Sequence, residues 1–187
     1  MLLSISVSIL AAYSFARFRF PGRRTMISGL LLIYMVPSVV LVVPLLIIFK
    51  NLQLLNTFGA LILAESTGTV PFAVWLLTNY FAALPSELEE AAMVDGCTPI
   101  GALWRVVLPL SVPGVIAAGL FVFIVGWNNF IFAFLLANTD ATKTLPVFLK
   151  TFIGGESGIP WGTVMAGTMM ATLPVALLFL FFQKYLI

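Results

Sequence analysis

Long stretches without charged residues constrain this chain more than any other sequence feature. Each is about the 20 residues that a helix needs to cross a hydrocarbon core roughly 30 Å thick. The chain is 61% hydrophobic and only 9% charged, whereas a soluble domain usually carries about 25% charged residues. The sequence therefore predicts an all-α fold, a polytopic bundle of transmembrane helices. The four full spans are expected at about 26–49, 59–81, 112–137 and 161–182.

A fifth apolar segment, residues 1–16, is short for a membrane span. Four arginines, at positions 17, 19, 23 and 24, follow this segment, whereas a signal peptide has its positive charges before the apolar run. We interpret the segment as the end of a helix that enters from outside and stops at a cytoplasmic arginine cluster. Residues 1–187 are thus expected to form a single membrane domain of five helices, the first of them partial.

The positions of lysine and arginine in the loops predict the orientation, because positive charge is retained on the cytoplasmic side. Six of the nine basic residues fall on one side of the predicted spans and three on the other. Loops 17–25 and 82–111 and the C-terminus are therefore expected in the cytoplasm, while loops 50–58 and 138–160 face outward. The net charge of +2 reflects this topology and gives no indication of nucleic-acid binding.

Several classes of site are excluded by residue types that the chain lacks. It has no histidine and a single cysteine, Cys97, so an intrachain disulfide and a histidine-based metal or acid–base site are impossible. It has no Gly-Lys pair, and hence no G-x-x-x-x-G-K-[ST] phosphate-binding loop. We expect no catalytic residue, metal site or cofactor in this chain, and any ATPase that powers it must be a separate chain.

One short segment matches part of the sequence pattern of an enzyme class. Residues 155–158 match the G-x-S-G of intramembrane rhomboid serine proteases. That chemistry needs a base to activate the serine, and the chain has no histidine to supply one. The segment is better interpreted as an outer loop.

The loop 84–109 carries most of the charge that topology does not explain, and its sequence predicts two short helices. Ser86 and Glu89 have the S-x-x-E spacing of a capping box, so the first helix is expected to begin at Ser86 with acidic residues near its positive end. Gly96 suits the left-handed position that closes a helix. Thr98 can cap a second helix whose first residue is a proline. The loop is thus expected to form a helix pair outside the membrane.

The spacing within this loop resembles a known family signature. Glu90-Ala91-Ala92, three residues, Gly96, nine residues and then Val106-Val107-Leu108-Pro109 is similar to the E-A-A-x-x-x-G-x9-I-x-L-P motif of ABC importer permeases, with Val106 in place of isoleucine. Other runs look like the maltose-type branch of the carbohydrate permeases. They are Ala12-Tyr13, residues 17–22, Leu108-Pro109-Leu110 with Pro113, residues 127–130, Thr144-Leu145-Pro146 and residues 181–185.

The resemblance implies partners, a location and roles for the loop residues. Family members usually have six transmembrane helices, so this chain is expected to be truncated at both ends. The expected partners are ABC ATPase subunits, a second and different permease subunit, an extracytoplasmic substrate-binding protein and the bilayer of a bacterial inner membrane. By position in the motif, the ATPase-coupling residues are Glu90, Ala91, Ala92, Asp95, Gly96, Leu108 and Pro109.

Four residues within the predicted spans are candidates for a translocation path: Glu65, Trp127, Asn128 and Asn129. Acidic residues inside spans are costly and often face a cavity or a partner helix, although Glu65 could equally reach the outer interface. An indole beside amide groups suits the apolar face and the hydroxyls of a sugar. Hydrogen bonding between helices is the alternative role for the two asparagines.

Two alternatives to a sugar permease remain open from the sequence. An importer permease could carry another solute, such as glycerol phosphate, an amino acid or a peptide. A channel or another helical membrane protein without an ATPase partner would not need an acidic helix pair in the cytoplasm. The resemblance to the maltose-type branch favours a carbohydrate.

Overall fold

The computed structural model describes residues 1–137, 139–153 and 159–185. Every regular element in this part of the chain is a helix, which confirms the predicted all-α fold. In chain order the helices are α1 Leu2–Arg17, α2 Arg23–Tyr34, α3 Ser38–Asn51, α4 Phe58–Ala83, α5 Glu87–Val94, α6 Pro99–Leu110, α7 Val112–Asn128, α8 Ile131–Leu136, α9 Leu145–Lys150 and α10 Trp161–Phe182. Short 3-10 turns extend α9 over Thr151–Ile153 and α10 over Gln183–Tyr185.

Among the described residues, two helices, α4 and α10, are individually long and apolar enough to cross a membrane. They cover the predicted spans 59–81 and 161–182, and each contains a proline, Pro71 or Pro174, without ending there. α1 is a shorter apolar helix that covers the predicted segment 1–16. If each bent pair of helices counts as one span, the described residues provide up to four spans.

The expected span 26–49 consists of two helices that meet at Pro37, one of the prolines that we expect to bend the predicted spans. α2 ends at Tyr34, α3 begins at Ser38, and their axes differ by 96°. Pro37 lies between them with an extended backbone, at ψ 130°. A proline lacks the N–H that a helix needs and drives the preceding residue out of the helical region. The helix therefore breaks at this point.

The expected span 112–137 is also divided, because Asn129 and Phe130 separate α7 from α8. The Oδ1 atom of Asn129 accepts a hydrogen bond from the N–H of Phe132 at 3.1 Å. Backbone donors at a helix start have no partner within the helix, so this side chain supports the beginning of a new helix. At the opposite end of α7, next to Ser111, α6 and α7 meet at an angle of 84°.

The main core lies where α1, α4, α6 and α7 meet. α6 belongs to loop 84–109, yet its Leu103 and Val107 are completely buried. This arm of the loop is therefore part of the membrane bundle and not a free appendage. The buried members of the core are Ile9, Ala12, Tyr13, Ala73, Leu77, Phe81, Leu103, Val107, Ala118 and Val122. A second cluster joins α3, α4 and α8 through Val42, Phe49, Ala60, Ala64, Phe132 and Leu136.

A glycine in α7 allows this helix to approach α4 closely. A Cβ atom added at Gly114 would lie 2.4 Å from Cγ of the Tyr80 ring. We expect Gly114→Ala to force the two helices apart and to lower the free energy of unfolding by about 1–3 kcal/mol, the usual cost of overpacking. Thermal unfolding of the purified protein in detergent, compared with the wild type, measures this loss.

Gly119→Ala is the matched control, because Gly119 lies in the same helix and a Cβ atom there meets nothing within 4 Å. This variant is expected to keep or raise the unfolding midpoint, since alanine has the higher helix propensity. Equal midpoints for the two variants would contradict the close packing of α4 and α7 at Gly114.

Candidate functional site

The first arm of loop 84–109 is α5, and its end has the geometry that the sequence predicts. Gly96 has a φ of +88°, in the left-handed region that glycine adopts without steric cost. The N–H of Cys97 donates to the carbonyl of Ala92 at 2.9 Å, and the N–H of Gly96 donates to the carbonyl of Met93 at 3.1 Å. These two bonds form a Schellman motif, so Gly96 fixes the direction in which the chain leaves α5.

The second arm is α6, and its start is capped as predicted. The Oγ1 atom of Thr98 accepts a hydrogen bond from the N–H of Gly101 at 3.1 Å, and Pro99 occupies the first turn. The helix then widens into a π-helical turn over Leu103–Val107, whose first and last residues are buried in the core. Apolar packing therefore anchors α6 to the membrane helices.

The capping box predicted at the start of α5 is wrong. The side chain of Ser86 makes no capping hydrogen bond, and the carboxylate of Glu89 faces α1 instead. It pairs with the guanidinium of Arg17 and accepts a hydrogen bond from the hydroxyl of Tyr13 at 3.0 Å. Glu89 is only 5% exposed. A carboxylate buried to this extent needs a cation and hydrogen-bond donors, and α1 supplies both.

We name Tyr13, Arg17 and Glu89 the α1 clamp. The Nη2 atom of Arg17 also donates to the carbonyl of Leu84 at 3.2 Å, and the hydroxyl of Tyr13 lies 3.1 Å from the carbonyl oxygen of Pro99. Tyr13 and Arg17 are four residues apart and therefore share one face of α1. The clamp contacts the entry to the loop, its first arm and the start of its second arm.

Sequence reasoning singled out Glu90 and overlooked the α1 clamp. Glu90 is exposed, whereas its neighbour Glu89 is the only buried residue of α5. The sequence did contain a signal for this contact. The last turns of the apolar helix α1 carry a tyrosine and an arginine four residues apart, and the acidic loop lies on the same side of the membrane. Whether Glu89 or Glu90 contacts α1 depends on how the loop packs, and the spacing of residues in the sequence does not reveal this packing.

The outer surface of the helix pair carries the predicted coupling residues. Glu90, Ala91, Asp95, Gly96 and Pro109 are exposed, and Ala92 and Leu108 are half-buried. Large apolar side chains are exposed on the same two helices, with Val94 88%, Ile100 64% and Trp104 61% accessible. Exposed apolar groups mixed with charged ones are typical of a surface that binds another protein.

Glu65 in α4 lies between two cavities of about 280 and 240 Å³ and lines both. Asn129 lines the larger cavity together with Glu65. Trp127 lines the smaller cavity, and its Nε1–H donates to the carbonyl of Ala171 in α10 at 2.9 Å. The structure thus brings three of the four candidate path residues to one region between α4, α7 and α10.

Asn128 lies apart from this group. It is exposed, and its Nδ2 atom donates to the carbonyl of Ile124 in its own helix at 2.9 Å. It lines neither of the two cavities beside Glu65. Sequence reasoning missed Tyr34 and Ser38, which line the larger cavity, because a proline at position 37 does not show which other helices border the interruption.

The remaining polar features add no candidate for catalysis. The described residues contain no group of three or more His, Cys, Asp or Glu side chains that could hold a metal ion. Residues 155–158, which match the rhomboid pattern, lie outside the described residues. Asp140 and Lys143 form an exposed ion pair in the loop predicted to face outward, and the hydrogen bond from Lys143 lowers the pKa of Asp140.

Comparison with known proteins decides the family. The family described as "binding-protein-dependent transport system inner membrane component" matches residues 4–187. The chain belongs to this family. The resemblance inferred from the E-A-A motif is therefore confirmed, and the chain is a multi-pass component of the inner membrane.

Three relatives of this inner membrane component illustrate the similarity. The trehalose/maltose transport system permease protein of Thermococcus litoralis is 39% identical over 186 residues, which cover 100% of this chain and 67% of the relative. The sulfoquinovosyl glycerol transport system permease protein of Agrobacterium fabrum is 40% identical over 182 residues, with 97% and 64% covered. The trehalose transport system permease protein of Mycobacterium tuberculosis is 38% identical over 186 residues, with 99% and 68% covered. The chain spans about two thirds of the length of these relatives.

A solved structure supports the fold of this family member. It is described as the crystal structure of a bacterial ABC transporter involved in the import of the acidic polysaccharide alginate. The similarity has a TM-score of 0.83 at 25% sequence identity and covers 100% of this chain and 70% of the other. The helical arrangement is therefore that of a chain from an ABC transporter.

Proposed function

We propose that this chain is a permease subunit of an ATP-driven importer and forms half of the translocation path for a sugar. The observation that carries the proposal is the helix pair of loop 84–109, which joins an exposed surface bearing the E-A-A and glycine residues to a buried arm in the membrane core. Relatives at 38–40% identity are named as transport permeases for trehalose, maltose and sulfoquinovosyl glycerol. These names favour a carbohydrate over an amino acid or a peptide.

The outer surface of the helix pair is where we expect an ABC ATPase subunit to dock. Glu90 and Asp95 are exposed and can pair with cationic groups of the partner, which orients the encounter. The exposed Trp104 offers a large apolar contact of the kind that dominates binding energy. Ala91 and Ala92 are small enough to allow a close approach. The subunit itself is non-catalytic, and the partner hydrolyses ATP.

Movement of a docked ATPase would reach the membrane helices through α6. Leu103 and Val107 of α6 are buried against α1, α4 and α7, so α6 cannot shift without disturbing these helices. Leu108 and Pro109 end α6 just before the bend into α7. A second, different permease subunit supplies the other half of the path, and an extracytoplasmic binding protein delivers the sugar.

The cavity of about 280 Å³ beside Glu65 is the proposed segment of the path within this subunit. The carboxyl group of Glu65 and the amide of Asn129 offer hydrogen-bonding groups to sugar hydroxyls. The ring of Tyr34, which also lines the cavity, suits the apolar face of a sugar. Trp127 borders the path and ties α7 to α10 through Ala171.

The complex in the native membrane tests the proposal directly. We expect a tagged chain, purified gently in detergent, to retain an ABC ATPase, a second permease subunit and a binding protein, because the exposed helix pair needs a partner. Mass spectrometry identifies the proteins recovered. Recovery of the chain without an ATPase, under conditions that preserve a known ABC importer prepared in parallel, would contradict the proposed function.

Gly96 gives a sharper test of coupling. Proline cannot adopt the φ of +88° found at Gly96 and would remove the N–H that donates to Met93. We expect Gly96→Pro to insert normally in the membrane but to lower sugar uptake at least about tenfold, a typical size for the coupling between two sites. Gly96→Asn is the control, since asparagine tolerates left-handed geometry, and it should keep most of the uptake. Normal uptake by Gly96→Pro would rule out the coupling role.

The neighbouring asparagines provide a matched pair for the translocation path. Serine can replace the capping acceptor that Asn129 offers to Phe132, but it lacks the amide N–H groups that Asn129 brings to the cavity wall. We expect Asn129→Ser to change the apparent KM for the sugar about tenfold, equivalent to roughly 1.4 kcal/mol. Asn128→Ser is expected to transport like the wild type, because Asn128 bonds only within its own helix. Equal KM values for both variants would remove Asn129 from the path.

A further inference from the structure

The two arms of loop 84–109 are attached to the membrane helices by different physical interactions. α6 is held by buried apolar side chains, among them Leu103 and Val107. α5 has a single buried residue, Glu89. The chain enters α5 from α4 through an extended residue, Leu84, followed by Pro85, so no continuous helix connects α5 to α4. Besides the Gly96 turn that joins it to α6, α5 is held by polar contacts with α1.

We propose that the α1 clamp sets the orientation of α5 and transmits its movement to α1, so that Glu89 is a positioning residue for coupling. This inference rests on the proposed coupling to an ATPase. It separates two neighbouring acids by role: Glu90 faces the partner, whereas Glu89 faces the membrane bundle. Force applied to α5 then reaches the bundle by two routes, through the apolar packing of α6 and through the charge pair to α1.

The geometry of the clamp suits this task. Arg17 binds the carboxylate of Glu89 and the carbonyl of Leu84 together, and the hydroxyl of Tyr13 lies between Glu89 and Pro99. Three points of the loop are thus fixed relative to one face of α1. Charge-assisted hydrogen bonds constrain direction as well as distance. In the part of the chain that the structure describes, no other ion pair joins this loop to another element.

The energetics favour joint movement of α5 and α1. Glu89 is almost completely buried, and the side chain of Arg17 is 15% exposed. If α5 moved alone, a carboxylate and a guanidinium would lose their partners in surroundings that hydrate them poorly, which is strongly unfavourable. Keeping the pair intact requires the cytoplasmic end of α1 to follow α5. α1 packs along α4, so the displacement extends into the core of the bundle.

The first test compares two glutamates of α5 in the complete importer, reconstituted in lipid vesicles with its ATPase, second permease and binding protein. Glu89→Gln removes the charge from the clamp, and Glu87→Gln removes a charge from an exposed position in the same turn. We expect Glu89→Gln to retain the ATPase in the purified complex but to lower the sugar taken up per ATP hydrolysed at least about fivefold. Glu87→Gln should match the wild type in both measurements.

The second test restores the connection by a covalent bridge. Cys97 is the only cysteine of residues 1–187, so Cys97→Ser removes the thiol from this subunit, and the other subunits alone, treated with the reagent, serve as the control. Arg17→Cys and Glu89→Cys, combined in that background, remove the charge pair and allow a short bifunctional thiol reagent to link α1 to α5. We expect the unbridged protein to be uncoupled and the bridged protein to regain uptake per ATP, while either single cysteine variant treated with the reagent does not.

The outcomes separate this inference from the proposed function. If the wild-type complex takes up no sugar or retains no ATPase, the proposed function fails, and the inference fails with it. If the wild type is coupled and Glu89→Gln is equally coupled, or if the bridge restores nothing, only the role of the α1 clamp is overturned. Loss of the ATPase from the Glu89→Gln complex would assign Glu89 to docking and would also overturn the inference.

Discussion

A backbone polar group in lipid must find its hydrogen-bond partner within the protein, and this requirement determines where irregular structure can lie in this chain. Two of the predicted spans break, one at Pro37 and one at Asn129. Both breaks line the same cavity as Glu65. Non-helical backbone at membrane depth is tolerated beside a cavity or within the protein, so the two breaks and the acidic residue have one physical explanation.

The helix pair in loop 84–109 follows a different rule, because it must be exposed and yet fixed to the bundle. Its second arm solves this with apolar residues that complete the core between α1, α4 and α7. Its first arm, almost fully accessible, is held by Arg17 and Tyr13 through Glu89. Close apolar packing resists displacement of a helix, whereas charge-assisted hydrogen bonds also fix its direction. The loop is therefore attached to the bundle in two ways, by apolar packing of α6 and by the oriented polar contacts of α5 with α1.

Sequence reasoning identified the features that depend on local chemistry. The apolar stretches, the left-handed Gly96 and the cap at Thr98 follow from the residues themselves and their neighbours, and the structure contains all of them. Sequence reasoning failed where the partner of a side chain lies far away in the sequence. Glu89 has the correct spacing for a capping box. Its carboxylate instead accepts a hydrogen bond from the guanidinium of Arg17, 72 residues earlier in the chain. Likewise, hydropathy marked 112–137 as one span, because the two residues of the break, Asn129 and Phe130, hardly change its mean hydropathy.

The bend next to Ser111 has a mechanical consequence. With α7 crossing the bilayer, an angle of 84° places α6 nearly parallel to the membrane surface. A displacement of α6 along the membrane normal is then directed along the axis of α7. In the proposed importer, a displacement of the docked cytoplasmic arm would therefore shift a transmembrane helix lengthwise.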